Sequence, residues 1–158
     1  MGLEEEDTVS SDDGGSELAY NPFVITEFNV YDGDNYTHIQ NDNFLVKVKF
    51  YHLEVIHDSC VEDFDTILEF EPALPFYSKV TLCNTSDPSK PIGPDNTAYY
   101  LSSYSLDNYS THIQTPIEVV FSMRVKSDLC RIGCPSKNEP AHTQGTSETA
   151  KYTVTFLP

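Results

Sequence analysis

Apolar residues alternate with polar ones over several stretches of this chain, and the period is two, not 3.6. The cleanest case is residues 116–126, where Ile117, Val119, Phe121, Met123 and Val125 alternate with Glu118, Ser122, Arg124 and Lys126. Only Val120 breaks the pattern. Such alternation predicts a strand with one buried face. Residues 44–57 give the longest signal, with Phe44, Val46, Val48 and Phe50 in one phase. Leu53 and Val55 fall in the other phase, and this predicts a β-bulge near Tyr51 and His52. The apolar rows Val46, Val48, Phe50 and Val119, Phe121, Met123 are the expected core.

Further strands are predicted at 23–31, 66–71, 76–83, 98–106 and 151–157, which are rich in β-branched and aromatic residues. Turn chemistry separates them. Asp32-Gly33-Asp34-Asn35 reads as a turn, and residues 86–96, with three prolines and a glycine, read as a long irregular loop. Residues 136–149 are polar and are expected to be mobile. No segment combines helical periodicity with caps. The pattern predicts an all-β fold, a two-sheet antiparallel β-sandwich with long irregular loops and at most a turn or two of helix.

Composition divides the chain in two. Residues 1–17 hold seven acids and no base, with little to bury, and are expected to form an acidic disordered segment. Residues 18–158 are expected to form the sandwich. The chain has 158 residues and a net charge of −16. That field attracts basic partners and repels nucleic acid and anionic membranes. No run of eighteen apolar residues exists to span a bilayer.

Four cysteines, Cys60, Cys83, Cys130 and Cys134, suit two disulfides and an oxidising compartment. The expectation is that Cys60 and Cys83 bridge to Cys130 and Cys134, with the pairing left open. Three sequons, beginning at Asn35, Asn84 and Asn108, also point to a secreted glycoprotein. No signal peptide is visible, so Met1 reads as an added start with upstream sequence missing.

Chemistry is poorly supported. No Gly-x-Ser-x-Gly elbow occurs. Glu69 and Glu71 share a strand face, whereas a glycosidase pair must face each other across a cleft, about 5–10 Å apart. The chain also has no tryptophan for sugar stacking. His52, His57, Asp58 and Cys60 crowd together, but His52 and His57 differ by an odd number along a strand. They read as exposed strand-end histidines, not a zinc site. Asp32-Gly33-Asp34 lacks the glycine and the acid that a calcium loop needs at its sixth and twelfth positions. No catalytic residue, metal or cofactor is therefore assigned.

Several strings carry a resemblance. Glu27-Phe28-Asn29-Val30-Tyr31, Phe50-Tyr51-His52-Leu53-Glu54 and Asp58-Ser59-Cys60-Val61-Glu62-Asp63-Phe64 resemble the poxviral SECRET domain. So do Tyr77-Ser78-Lys79-Val80-Thr81-Leu82-Cys83 and Tyr99-Tyr100-Leu101-Ser102-Ser103-Tyr104. That family is the C-terminal chemokine-binding domain of poxviral decoy tumour-necrosis-factor receptors of the cytokine response modifier class. The resemblance covers about residues 20–158. It implies a β-sandwich, secretion from infected cells, and capture of host chemokines by occlusion. The cysteine-rich repeats that bind the tumour-necrosis-factor cytokine are absent from this chain.

Carboxylates are depleted in the middle of sheets, so those placed within predicted strands need a reason. A basic ligand supplies one. The expected chemokine-binding set is Glu54, Glu69, Glu71, Tyr77, Tyr99 and Glu118, gathered on one sheet face with tyrosines as anchors. The competing reading is a secreted structural or adhesion sandwich whose acidity only keeps it soluble.

Overall fold

A computed structural model describes residues 22–53, 64–90, 92–127 and 145–158, with backbone alone at Cys83 and Ser127. Two sheets pack face to face. The first has four strands in the order β1-β3-β6-β5: β1 Phe23–Tyr31, β3 Asn43–His52, β6 Ala98–Leu106 and β5 Phe76–Thr85. Every pairing in it is antiparallel. The second has the order β2-β9-β7-β4: β2 His38–Ile39, β9 Ala150–Phe156, β7 Ile117–Ser127 and β4 Phe64–Glu71, with β8 Gly145–Thr146 added to β7. Only the short β2–β9 pairing is parallel. One helical turn, α1 Tyr109–His112, joins β6 to β7. The all-β sandwich expected from period-two alternation is the observed architecture.

The alternating rows meet between the sheets. Val46, Val48 and Phe50 on β3 and Val119, Phe121 and Met123 on β7 are all buried. Two aromatic clusters sit among them. Phe44, Phe70, Phe76, Phe121 and Phe156 interlock, with Phe70 and Phe76 meeting edge-on at 4.7 Å. Phe23, Phe50, Phe64 and Tyr100 form the other, with Phe23 edge-on to Phe64 at 5.2 Å. Edge-to-face geometry places a positive ring edge on a negative ring face, so these pairs contribute beyond the area they bury.

The expected bulge near Tyr51 and His52 is not there. His52 pairs in regular register with Phe23 and continues the inward phase of Phe50, and Leu53 lies exposed just beyond the strand. The apparent slip of phase is the end of the strand. The bulges fall instead between Ile25 and Glu27 on β1 and between Ser78 and Val80 on β5. His52 also corrects the expectation of an exposed histidine. It is fully buried, edge-on to Phe23 at 4.8 Å.

Loops carry their own order. Asp32 and Asn35 exchange backbone hydrogen bonds of 2.9 Å each, and Gly33 takes a φ of 60°, which glycine adopts without a Cβ clash. In the 86–97 connection, the Asn96 amide donates to the carbonyls of Asp87 and Lys90, and its oxygen accepts from the Asp87 N–H. Part of the stretch expected to be mobile is built into the second sheet. Gly145 and Thr146 pair with Ser127 and Lys126, and the buried Ser147 hydroxyl accepts the Val125 N–H at 3.0 Å. The expected acidic segment 1–17 lies outside the described residues, and so do Cys60, Cys130, Cys134 and the Cys83 thiol.

Candidate functional site

Strand alternation fixes which side chains face out. On β4, Leu68 and Phe70 turn toward the core, so Asp65, Ile67, Glu69 and Glu71 turn away from it. On β7, burial of Val119, Phe121 and Met123 sends Glu118, Val120, Ser122 and Arg124 outward. The register then assembles a surface. Glu69 stands opposite Ser122, and Glu71 opposite Val120. Glu118 lies two residues before Val120 on the neighbouring strand. That makes it the diagonal neighbour of Glu71, roughly 7–8 Å away on a pleated sheet. Glu69 and Glu71 are separated by about 6.6 Å of strand rise.

All three carboxylates are exposed. Among the described residues the one ion pair within 4 Å is Lys90–Asp87, an exposed pair at 3.9 Å. Glu69, Glu71 and Glu118 thus have no cation in contact range among those residues. Three like charges on adjoining positions of one face repel each other, and a cationic partner relieves the repulsion. The rest of the face grades into mixed charge. Ser122 stands opposite Lys151 on β9, Arg124 opposite Ile67, and Lys126 opposite Asp65. The acidic character is concentrated at the Glu71 and Glu118 end.

The two tyrosines lie elsewhere. Tyr77 stands opposite Ser105, and Tyr99 opposite Lys49, on the outward face of the four-stranded sheet. Tyr77 is exposed, and the Lys47 ammonium sits 5.4 Å from the centre of the Tyr99 ring. The sandwich therefore separates the expected set. Glu69, Glu71 and Glu118 share one outer face, Tyr77 and Tyr99 share the opposite one, and Glu54 lies outside the described residues. Gathering all six on a single face is corrected for these five. The physical reason is that β4 and β7 pair with each other, while β5 and β6 pair with β3.

The two outer faces differ in charge. The four-stranded sheet presents Lys47, Lys49 and Lys79 against Glu27, with Lys79 reaching the Asn43 amide oxygen at 3.4 Å. An acidic chain thus has one face that is locally basic. The residues that sequence reasoning passed over are Asp65, Arg124, Lys126 and Lys151, which share the face of the three glutamates. A strand starting at Phe64 instead of Thr66 adds Asp65, and only the register shows the rest.

Among the described residues no three His, Cys, Asp or Glu side chains converge as a metal site requires. No helix there is long and apolar enough to cross a membrane. Comparison with protein families and with curated proteins finds no match to this chain.

Proposed function

We propose that this chain is a secreted chemokine-capture domain of the poxviral SECRET kind, which acts by occlusion. The observation that carries the reading is the carboxylate group Glu69, Glu71 and Glu118 on the outer face of the second sheet, with no cation in contact among the described residues. A net charge of −16 draws a basic ligand in, and these carboxylates give it a place to dock. A flat face of exposed strand residues suits a small folded protein better than a small molecule, which needs a concave site. Capture involves no bond chemistry: a chemokine held on this face cannot engage its receptor. Tyr77 and Tyr99, on the opposite side, are not part of this contact. The second-sheet acids carry it without the tyrosine anchors expected for it.

The test is binding to a panel of immobilised chemokines, with Glu69→Lys combined with Glu71→Lys. The reversed protein is expected to keep its melting temperature within a few degrees, because exposed substitutions change stability by about 0.5 kcal/mol or less. It is expected to bind more slowly, with a flatter salt dependence. No chemokine bound by the wild type, or wild-type kinetics for the double variant at low salt, would overturn the reading.

A further inference from the structure

The outer face of the four-stranded sheet holds a feature that the proposed docking of a chemokine does not use. Val80 and Leu82 are each 53% exposed, on the same side of β5. Leu82 stands opposite Leu101, so the aliphatic surface continues inward onto β6. Among the described residues β5 is also the edge of its sheet, paired with β6 alone. An edge strand with unpaired N–H and C=O groups and an aliphatic face is a template for pairing with another chain. The bulge at Lys79 interrupts that edge near its start, but the stretch from Val80 to Thr85 stays regular.

Asn84 lies two residues beyond Leu82, exposed on this same face and opposite Tyr99. It opens the sequon Asn84-Thr85-Ser86. We propose that Asn84 carries an N-linked glycan that folds back over Leu82 and Val80 and covers the β5 edge. This rests on the secretory reading given above. The apolar face of the first sugar would meet Leu82, two residues back along β5, and the Tyr99 ring, directly across on β6. The sequons at Asn35 and Asn108 stand in turns outside this ladder. The Asn35 side-chain oxygen accepts from the Thr37 and His38 N–H groups at 3.1 and 2.9 Å, and Asn108 has a φ of 54° ahead of α1.

The modification is a group transfer from an oligosaccharide carried on a polyisoprenyl diphosphate. The Asn84 amide nitrogen bonds to the anomeric carbon of the sugar, and the carbon–oxygen bond to the diphosphate breaks. The lipid diphosphate leaves with the electron pair, the nitrogen gives up one proton, and nothing is oxidised. Transfer acts on the chain before folding, so the fold has only to leave room, and an outward strand position at an edge does.

The experiment is secretion of the full chain from eukaryotic cells behind a leader, with glycopeptide mapping and sedimentation of wild type and Asn84→Gln. The expected result is a glycan at Asn84, a monomeric wild type, and concentration-dependent association of Asn84→Gln. Adding Val80→Thr and Leu82→Thr to that variant is expected to restore the monomer. If Asn84→Gln fails to fold, removal of the whole glycan from the folded glycoprotein with a peptide amidase, which leaves an aspartate at that position, is expected to produce the same association. A bare Asn84 beside an occupied Asn35 or Asn108 would overturn the proposal alone. An occupied Asn84 whose loss leaves sedimentation unchanged would overturn it too. Three bare sequons would overturn it together with the secretory reading, while chemokine capture, measured on the same samples, reports separately on the second-sheet face.

Discussion

Tyr109 shows how one side chain ties the end of a sheet together. Its hydroxyl lies 2.8 Å from the Ile39 carbonyl and 2.6 Å from the Leu157 carbonyl. Ile39 ends β2 and Leu157 follows β9, and these two strands pair in parallel. The hydroxyl thus closes the open end of a two-residue pairing that has few hydrogen bonds of its own. Tyr109→Phe keeps the ring, which packs against Phe156, and removes only the polar contact. The expected loss is about 0.5–1.5 kcal/mol by urea unfolding, since one hydroxyl proton shared between two carbonyls is removed and Ile39 keeps the Leu157 N–H. Burial, first, and the nearby Asp32 push the Tyr109 hydroxyl up to about 12. A folded value raised above the unfolded value of 10.0 contributes stability that is whole below pH 10. It is lost as pH rises from about 10 towards about 12. The wild type is expected to lose stability over that window more steeply than Tyr109→Phe.

At the scale of elements, a buried hydroxyl supports the join of β8 to β7 beside its backbone pairing. Ser147 accepts the Val125 N–H and donates to the Glu148 carbonyl at 2.8 Å. Ser147→Ala leaves a buried donor on Val125 without that side-chain partner, and the expected cost is about 1–3 kcal/mol by thermal or chemical unfolding. Ser147→Thr keeps the hydroxyl and is expected to recover most of it. This element was hidden in the sequence. Residues 145–147 (Gly-Thr-Ser) have no apolar alternation, and their strand character comes from the partner, not from propensity. β2 is hidden for the same reason, with two residues and a parallel partner more than a hundred positions away. The long strands were legible because each has a buried row of its own, as in Val119, Phe121 and Met123. The bulges were not. Their phase shifts at Thr26 and Lys79 involve polar residues, while the visible shift at Leu53 was a strand end. The site was half legible. Exposed carboxylates within strands stood out from the sequence, but which strands lie side by side is a matter of topology. That is why Glu69, Glu71 and Glu118 were grouped with two tyrosines from the other side.

For the whole molecule, the two outer faces divide the charge unequally. The second-sheet face ends in three carboxylates with no cation in contact among the described residues, and the first-sheet face carries Lys47, Lys49 and Lys79. Net charge alone would steer a basic ligand towards any part of this surface, whereas the local difference orients it. Association with a basic chemokine is expected to slow as ionic strength rises from about 0.01 M to 0.15 M, where the Debye length falls from about 30 Å to about 8 Å. Glu118→Lys is expected to flatten that dependence by stopped-flow or surface binding. Lys49→Glu, on the far face, is expected to leave it as steep. Equal effects from both variants would show that steering depends on total charge and not on the face.

The strand order also sets a timetable for synthesis. The four-stranded sheet is complete once residue 106 has been made, because β1, β3, β5 and β6 all precede it. The second sheet is different, since β9 lies between β2 and β7 and follows every other strand along the chain. Until Phe156 leaves the ribosome, β2 has no neighbour and the inner side of the first sheet faces an unfinished partner. At about 5–20 residues per second, the fifty residues from Leu106 to Phe156 take several seconds to emerge. Over that interval the nascent chain holds a finished half whose buried rows are still open to water, and it would be a substrate for a chaperone until β9 zips in.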